Sequence, residues 1–253
     1  PFVVFQECFS ASVPWETCPN NNVYVRRWNG STWVNVGGAL DTSVTNNATE
    51  AAIAIGGDGL PVVTWQENGG ASGIYPPSEA TDIIVKKWNG FSWVRLGGAL
   101  EVDPNEIALV PVVAVDKQNR PVVAWQQTSP FTYTVYAKRW NGSSWDQLGG
   151  ALDRNINNSA GSPSIVMNSA GNPVVSFNEF VNTQHNVYVK RWVPSSASWA
   201  NVGGTLDISS SRDAIVSSVA LTSANKPIVA WQECTDTTWP CTSNNNVYVK
   251  QFQ

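Results

Sequence analysis

The heptapeptide PVVAWQQ at residues 121–127 decides the fold, because it returns along the chain with only conservative changes. It stands as PFVVFQE from Pro1, PVVTWQE from Pro61, PVVSFNE from Pro173 and PIVAWQE from Pro227. The spacings are 60, 60, 52 and 54 residues, and self-similarity at such a period is typical of repeat architectures. We therefore interpret residues 1–253 as a single domain of five repeats.

Three more segments accompany the heptapeptide, and each is short, rich in Val, Ile and aromatic residues, and bounded by Gly, Asn or Pro. This composition predicts strands. One segment precedes the heptapeptide, as in VPVVAVDKQNR. One follows it, as in NVYVRRWNG from Asn22, and the last opens on Trp33, Trp93, Trp145 or Trp199 and runs into GGAL or GGTL.

The loop lengths predict which strands share a sheet. Tight turns such as Asp58-Gly59 and Asn29-Gly30 join neighbouring strands into hairpins, and only the stretch after GGAL is long in every repeat. Four-stranded antiparallel sheets repeated in this way predict an all-β fold, a β-propeller of five blades. An open β-solenoid is the less favoured alternative. The first blade lacks its inner strand and the last its outer strand, so we expect eighteen strands.

The composition excludes some classes of function. Charged residues make up 13% of the chain, about half of the ~25% of an ordinary soluble domain. The net charge of −4 argues against a nucleic-acid partner, which needs a concentrated basic face. No apolar run approaches the ~18–20 residues that cross a bilayer, so we expect no membrane insertion.

Four cysteines indicate the compartment. Cys8 and Cys18 lie in one predicted loop, and Cys234 and Cys241 lie in another. The two local pairings are the simplest of three, and crossed pairing between the first and last blades is the alternative. We interpret them as disulfides of an extracellular or cell-surface protein. A chain that starts at Pro1, directly at a strand, also resembles a processed or trimmed product.

Long loops are predicted on one face of the propeller, because strand direction alternates and the tight turns gather on the other face. Loops on a rigid scaffold commonly carry binding residues. We therefore predict that ligand contacts come from aromatic residues in these loops: Trp15, Tyr75, Tyr133 and Trp239. The repeated tryptophan pairs, such as Trp28/Trp33, could stack on sugars, but we expect them to pack one blade on the next.

An acidic residue follows each GGAL or GGTL, at Asp41, Glu101, Asp153 and Asp207. We include these four residues among the candidate ligand-binding residues. Such a ring could bind calcium or supply glycosidase acids, although turn capping by the side chain is the simpler interpretation. We predict no cofactor and no metal site. The Gln-Glu pairs that end the heptapeptide are expected to pair across strands with the Lys-Arg pairs of the same blade.

The W-N-G-x-x-W hairpins at Trp28, Trp88 and Trp140 resemble those of secreted β-propeller repeat proteins, a group that overlaps in architecture with propeller lectins of the tachylectin type. The resemblance covers the whole chain. It implies sugar pockets between neighbouring blades, each of modest affinity and combined through multivalency.

These observations predict a secreted, non-catalytic recognition module that binds carbohydrate through loop-face or inter-blade pockets, with a glycan or cell-surface partner. The first alternative is a structural or adhesive protein that self-associates through its incomplete terminal blades; a glycoside hydrolase is a lesser one. We predict no enzyme, because His185 is the only histidine and no nucleophile elbow accompanies it. Arginines such as Arg27 and Arg139 occupy repeated positions rather than converging as in a sialidase.

Overall fold

The computed structural model describes residues 1–8, 20–43, 45–68, 81–129, 132–237, 241 and 244–252. It confirms the all-β fold and the strand order predicted from loop lengths, with five antiparallel sheets of the β-propeller type. No helix in these ranges combines the length and hydropathy needed to cross a bilayer.

The first two blades contain seven strands. Blade 1 has the order β1-β2-β3 and lacks an inner strand, and blade 2 has the order β4-β5-β6-β7. Their bounds are β1 Phe2–Cys8, β2 Asn21–Trp28, β3 Trp33–Asn35, β4 Asn47–Ile55, β5 Pro61–Asn68, β6 Thr81–Trp88 and β7 Trp93–Arg95.

The other three blades contain eleven strands, which brings the described strands to the expected eighteen. Blades 3 and 4 have four strands each in chain order, and blade 5 has three. The bounds are β8 Ala108–Val115, β9 Pro121–Ser129, β10 Thr132–Trp140, β11 Trp145–Gln147, β12 Ala160–Met167, β13 Pro173–Val181, β14 Gln184–Val193, β15 Ser198–Asn201, β16 Ala214–Leu221, β17 Pro227–Cys234 and β18 Asn245–Gln251.

The chain divides into two compact units, each with its own apolar core. Unit 1 comprises Pro1–Pro121 and Trp140–Asp146, and unit 2 comprises Val122–Arg139 and Gln147–Gln253. In unit 1 the core includes Val23, Val25, Leu40, Val63, Trp65 and Ile84. In unit 2 it includes Val187, Val189, Leu206, Ala214, Val229 and Trp231. In both cores, alternate residues of one strand, such as Val63 with Trp65 and Val187 with Val189, belong to the same cluster, because successive side chains of a strand point to opposite faces.

The Asn-Gly turns between the second and third strands close as the sequence predicts. The Asn29 side-chain oxygen accepts the amides of Ser31 at 3.0 Å and Thr32 at 2.9 Å. Gly30 has a φ of +109°, which a side chain would disfavour. Asn89 and Asn141 make the same turn in the next two blades.

The tryptophan pairs pack blade against blade, which confirms the packing interpretation. In unit 1 the Trp93 Nε1 donates to the Val36 carbonyl at 2.7 Å, and Trp145 Nε1 donates to the Leu96 carbonyl at 2.6 Å. In unit 2 Trp199 Nε1 donates to Leu148 at 2.7 Å. Each carbonyl immediately precedes a Gly-Gly pair, so the indole binds the preceding blade's outer strand.

Disulfide pairing is local where the structure describes it. Cys234 and Cys241 are bonded, which rules out crossed pairing for these two residues. Cys8 is also disulfide-bonded, and Cys18 lies outside the described residues.

The first glycine of each Gly-Gly pair should be irreplaceable, and the second should not. A Cβ on Gly97 would lie 3.0 Å from Trp145 and 3.1 Å from Trp140, at a φ of +70°, while a Cβ on Gly98 meets no atom within 4 Å. We expect G97A to lower the free energy of unfolding by about 2–4 kcal/mol through backbone strain and overpacking, and G98A by less than about 0.5 kcal/mol. Urea unfolding followed by tryptophan fluorescence measures both. Equal losses for the two variants would contradict this packing role.

Candidate functional site

The predicted aromatic contacts fall mostly outside the described residues: Trp15, Tyr75 and Trp239 all do so. Tyr133 is described. It lies half-buried in β10, and its amide donates to the Ser159 hydroxyl at 3.2 Å. Their role in ligand binding stays a prediction.

Two of the four acidic residues after GGAL or GGTL, Glu101 and Asp153, cap strands, and one carboxylate oxygen each of Asp41, Asp153 and Asp207 is buried without a hydrogen-bond partner among the described residues. The ligand-binding role of Asp41, Glu101, Asp153 and Asp207 stays a prediction. Asp153 accepts the Val135 amide at 2.9 Å, and Glu101 accepts the Ile83 amide. In each case the amide belongs to the second strand of the same blade. Among the described residues, the one close group of three metal-ligating side chains is Cys234, Asp236 and Cys241, and its two cysteines are joined in a disulfide.

The glutamate of the Gln-Glu pair does not pair with the Lys-Arg strand as expected. Glu67 accepts the Thr42 amide at 2.9 Å and the Trp65 indole at 2.7 Å. Glu179 and Glu233 likewise accept amides of the preceding crossing segment, from Arg154 and Ile208 at 2.8 Å each. The crossing segment passes beside the end of the strand that carries the glutamate, so its amides lie within reach of the carboxylate. Strand pairing within one blade does not reveal this contact.

The glutamine of the pair also reaches the next blade. Gln66 accepts the Val110 amide at 2.9 Å, and Gln126 accepts the Ser162 amide at 2.9 Å. Val110 and Ser162 have φ values of +52° and +50°, at a bulge on the inner strand. The side-chain oxygen of each glutamine therefore stabilises a left-handed backbone conformation that is unfavourable for a residue with a side chain.

Blade 2 contains a carboxylate pair that the other repeats lack. Asp82 lies directly opposite Glu67 across β5 and β6, at a position held by Asn22, Thr134, Asn186 and Asn246 elsewhere. Burial raises the pKa of Asp82, Arg95 opposes the shift, and Glu67 adds to it. Like charges on directly opposed residues repel, so Asp82 is biased toward its protonated form. The sequence signal for this carboxylate pair is that Asp82 replaces the Asn or Thr of the other repeats.

A pocket of about 200 Å³ lies between blades 1 and 2, within unit 1. Phe2 and Trp88 supply its aromatic surface, and Arg27 and Asn35 supply polar groups. Backbone of the Gly-Gly strand and of two turns completes it: Val34, Val36, Gly37, Gly59, Leu60 and Gly90. An apolar wall with a few convergent polar groups is typical of small-ligand sites.

Arg27 distinguishes this pocket from the equivalent position in blade 3. There Arg139 donates to the Gly171 carbonyl at 2.7 Å. Within the described part of the chain, the Arg27 guanidinium has no such hydrogen bond or ion pair. In the sequence Arg27 is one of a repeated set, and only the structure shows that it lacks the backbone partner of Arg139.

His185 is paired with a carboxylate in unit 2. Its Nδ1 lies 2.9 Å from Asp213 Oδ1, which also accepts the His185 amide at 2.8 Å. The Asn21 amide donates to Asn47 Oδ1 in the same way at 3.0 Å. Asp213 therefore fills the same capping position as Asn47, and a strand-capping role accounts for the pair.

Comparisons with known proteins show the fold. No protein-family model and no curated protein matches the chain. A Hadza microbial sialidase is 10% identical, with a TM-score of 0.59 over 99% of this chain and 56% of that one. A Dyadobacter fermentans protein of unknown function is 13% identical, with a TM-score of 0.60 over 99% and 79%. An ulvan lyase, from a new polysaccharide lyase family, is 12% identical, with a TM-score of 0.59 over 92% and 59%. This chain thus spans little more than half of the sialidase and of the lyase.

These structures overturn the prediction that the protein is not an enzyme. The prediction rested on missing catalytic motifs, yet a sialidase and a polysaccharide lyase have the same fold at 10% and 12% identity. At such identity catalytic residues need not follow any motif recognisable from another family. The absence of a nucleophile elbow therefore does not exclude catalysis.

The capping acid Asp153 should make stability fall as pH rises. Burial raises its pKa to about 6 from 3.8, so the folded state binds this proton more tightly than the unfolded state. Its contribution to stability is therefore present below about pH 4 and is lost as pH rises through 6. D153N retains an acceptor for Val135 but cannot ionise. We expect it to match the parent near pH 4 and to exceed its free energy of unfolding by roughly 1–3 kcal/mol near pH 7.

Urea unfolding at both pH values tests this expectation, with D103N as a control at an exposed acid. A D153N protein less stable than the parent at pH 7 would show that ionised Asp153 stabilises the fold.

Proposed function

We propose that this protein recognises carbohydrate at the pocket between blades 1 and 2, and that acidic sugars are its preferred ligands. The observation that carries the proposal is the Arg27 guanidinium, which lines the pocket beside Trp88 without a partner in the described part of the chain. A guanidinium binds carboxylate and sulfate groups with two parallel hydrogen bonds, and an indole packs against the C–H face of a sugar ring.

The size of the pocket favours a single sugar residue. Sites for drug-sized ligands occupy about 300–1,000 Å³, and this pocket has about 200 Å³. A glycan would place one residue in it and run along the surface. An ulvan lyase of the same fold has been solved bound to a glucuronate–sulfated rhamnose unit, which supports the acidic class.

We place the protein outside the cell. The Cys234–Cys241 bond and the bonded Cys8 support this, because disulfides persist in oxidising compartments.

Replacing Arg27 should weaken binding of acidic glycans selectively. We expect R27Q to lower the affinity for polyuronate and sulfated oligosaccharides by at least about tenfold, because a charge-assisted bidentate contact is lost. Affinity for neutral oligosaccharides should change little. Glycan-array binding followed by calorimetry measures both. R191Q removes an exposed arginine at the same strand position of blade 4 and is the matched control. Undiminished binding of acidic glycans by R27Q would refute the assignment of this pocket.

A second function is supported by the Asp82–Glu67 pair, namely cleavage of a glycan by acid catalysis. A carboxyl group whose pKa is raised by burial, as that of Asp82 is, is better suited to donate a proton to a leaving oxygen while water attacks the sugar carbon, as in inverting glycosidases. Glu67, which accepts hydrogen bonds from Thr42 and Trp65, adds to the rise in the pKa of Asp82 that burial causes.

An assay for released reducing ends, run against acidic and neutral polysaccharides, tests this second function. If Asp82 is the acid, D82N should lower the rate at least about hundredfold, while D103N should retain it. Activity that survives in D82N would assign catalysis to another group, and no activity on any polysaccharide would leave recognition alone as the function.

A further inference from the structure

Blade 2 places two cations directly opposite each other on its two outer strands. Lys86 of β6 pairs with Arg95 of β7. The residue at the position of Arg95 is a neutral amide in the other blades with this strand: Asn35, Gln147 and Asn201. Blade 2 therefore replaces an uncharged side chain by a second positive charge, in the same blade in which Asp82 departs from the repeat.

Arg95 cannot take the structural role of the amide that it replaces. In blade 1 the Asn35 side-chain oxygen accepts a hydrogen bond from Arg26 Nε at 3.0 Å. A guanidinium has donors only, so Arg95 accepts no hydrogen bond from Lys86. Like charges on directly opposed residues also repel. Without an anion beside them, the two cations of blade 2 weaken the pairing of β6 with β7.

No acidic side chain in the described part of unit 1 is paired with Arg95. Its side chain is exposed and makes no hydrogen bond or ion pair with the described residues. Asp82 lies on the same face of β6 as Lys86, because alternate residues of a strand share a face. Burial raises the pKa of Asp82, and the charge of Arg95 opposes this shift, but the two side chains form no ion pair.

Lys86 also has hydrogen-bonding capacity to spare. Its Nζ donates to the Leu40 carbonyl, and an ammonium has three N–H donors. Burial lowers the pKa of Lys86, Glu67 and Asp41 raise it, and Arg95 lowers it. Glu67, the acid with the larger effect, already accepts hydrogen bonds from a backbone amide and an indole.

We propose that Lys86 and Arg95 bind one oxyanion, the carboxylate or sulfate group of an acidic ligand, at a site separate from the Arg27 pocket. Neither residue lines that pocket. A guanidinium binds a carboxylate or a sulfate through two parallel hydrogen bonds, and the ammonium adds a third donor and a second charge. An oxyanion at this site replaces the repulsion between the two cations by attraction to both.

The acids nearby limit the affinity of the site less than their number suggests. Burial raises the pKa of both Asp41 and Asp82, so these carboxyl groups take up a proton more readily than exposed ones. Proton uptake on ligand binding would reduce their repulsion of the bound anion. The inference does not rest on the proposed recognition of sugars at Arg27.

Titration of nitrogen-15-labelled protein with sodium sulfate, and separately with glucuronate, tests this site at mildly acidic pH. Sodium chloride keeps the ionic strength constant, and glucose is the uncharged control. The Arg95 Nε–H resonance is identified by its loss in R95N, which restores the residue of blades 1 and 4. We expect millimolar sulfate or glucuronate to shift this resonance in a saturable way, and glucose to leave it unchanged.

Three variants make the result specific. R95N should bind both anions at least about tenfold more weakly, followed by the Lys86 backbone amide, because the bidentate contact is lost. Without added oxyanion its urea midpoint should exceed that of the parent, since the repulsion is gone, and sulfate should raise it less. R191Q is the matched control, because Arg191 is exposed and faces the neutral Ala200. R27Q should bind sulfate as the parent does.

An Arg95 resonance that does not move, or that moves equally in chloride, would overturn the proposal. Equal binding by R95N and the parent would do so as well. Loss of the Arg95 shift in R27Q would show that Arg27 and Arg95 belong to one site, against a separate one. Sulfate binding at Arg95 in a protein that binds no glycan would uphold this site and refute only the proposed recognition of sugars.

Discussion

The contact of an indole with a Gly-Gly strand is the constraint on which the rest of the structure depends. Each blade is a separate sheet, so its backbone hydrogen bonds hold it together but do not join it to its neighbour. The Trp93–Val36 bond and the bare surface of Gly37 make that join. A Cβ on Gly37 would lie 2.9 Å from Trp93, so a side chain there would collide with the ring, which explains why the Trp hairpin and Gly-Gly recur together.

Buried carboxylates bind the crossing segments through hydrogen bonds, as the indoles bind the outer strands. Glu67, Glu179 and Glu233 are almost fully buried, and each is satisfied by backbone amides of a segment some 25 residues away in sequence. A buried charge without such partners would be costly. In three blades, Glu67, Glu179 and Glu233 thus hold the start of the crossing segment, directly after the Gly-Gly strand.

The candidate functional residues lie where one repeat departs from the others. Arg27 lacks the backbone partner that Arg139 has, and Asp82 replaces an amide or a hydroxyl opposite Glu67. Both positions lie in unit 1, on strands that are paired on both sides within their sheets. A rigid scaffold that displaces single side chains from their structural roles is well suited to recognising a sugar or placing an acid. Such single departures from a repeat do not form a catalytic motif that can be recognised in the sequence.

The sequence by itself determined the eighteen strands, their order within each sheet and the packing role of the tryptophans. Strand composition, turn residues and loop lengths are local properties, and they recur from repeat to repeat. Only the tertiary structure decided that Glu67 caps the preceding crossing segment, that burial and Glu67 raise the pKa of Asp82, and that Trp28 and Trp33 stay exposed. Each of these features depends on burial or on contacts with a neighbouring strand or blade, which the residue pattern of a single strand does not record.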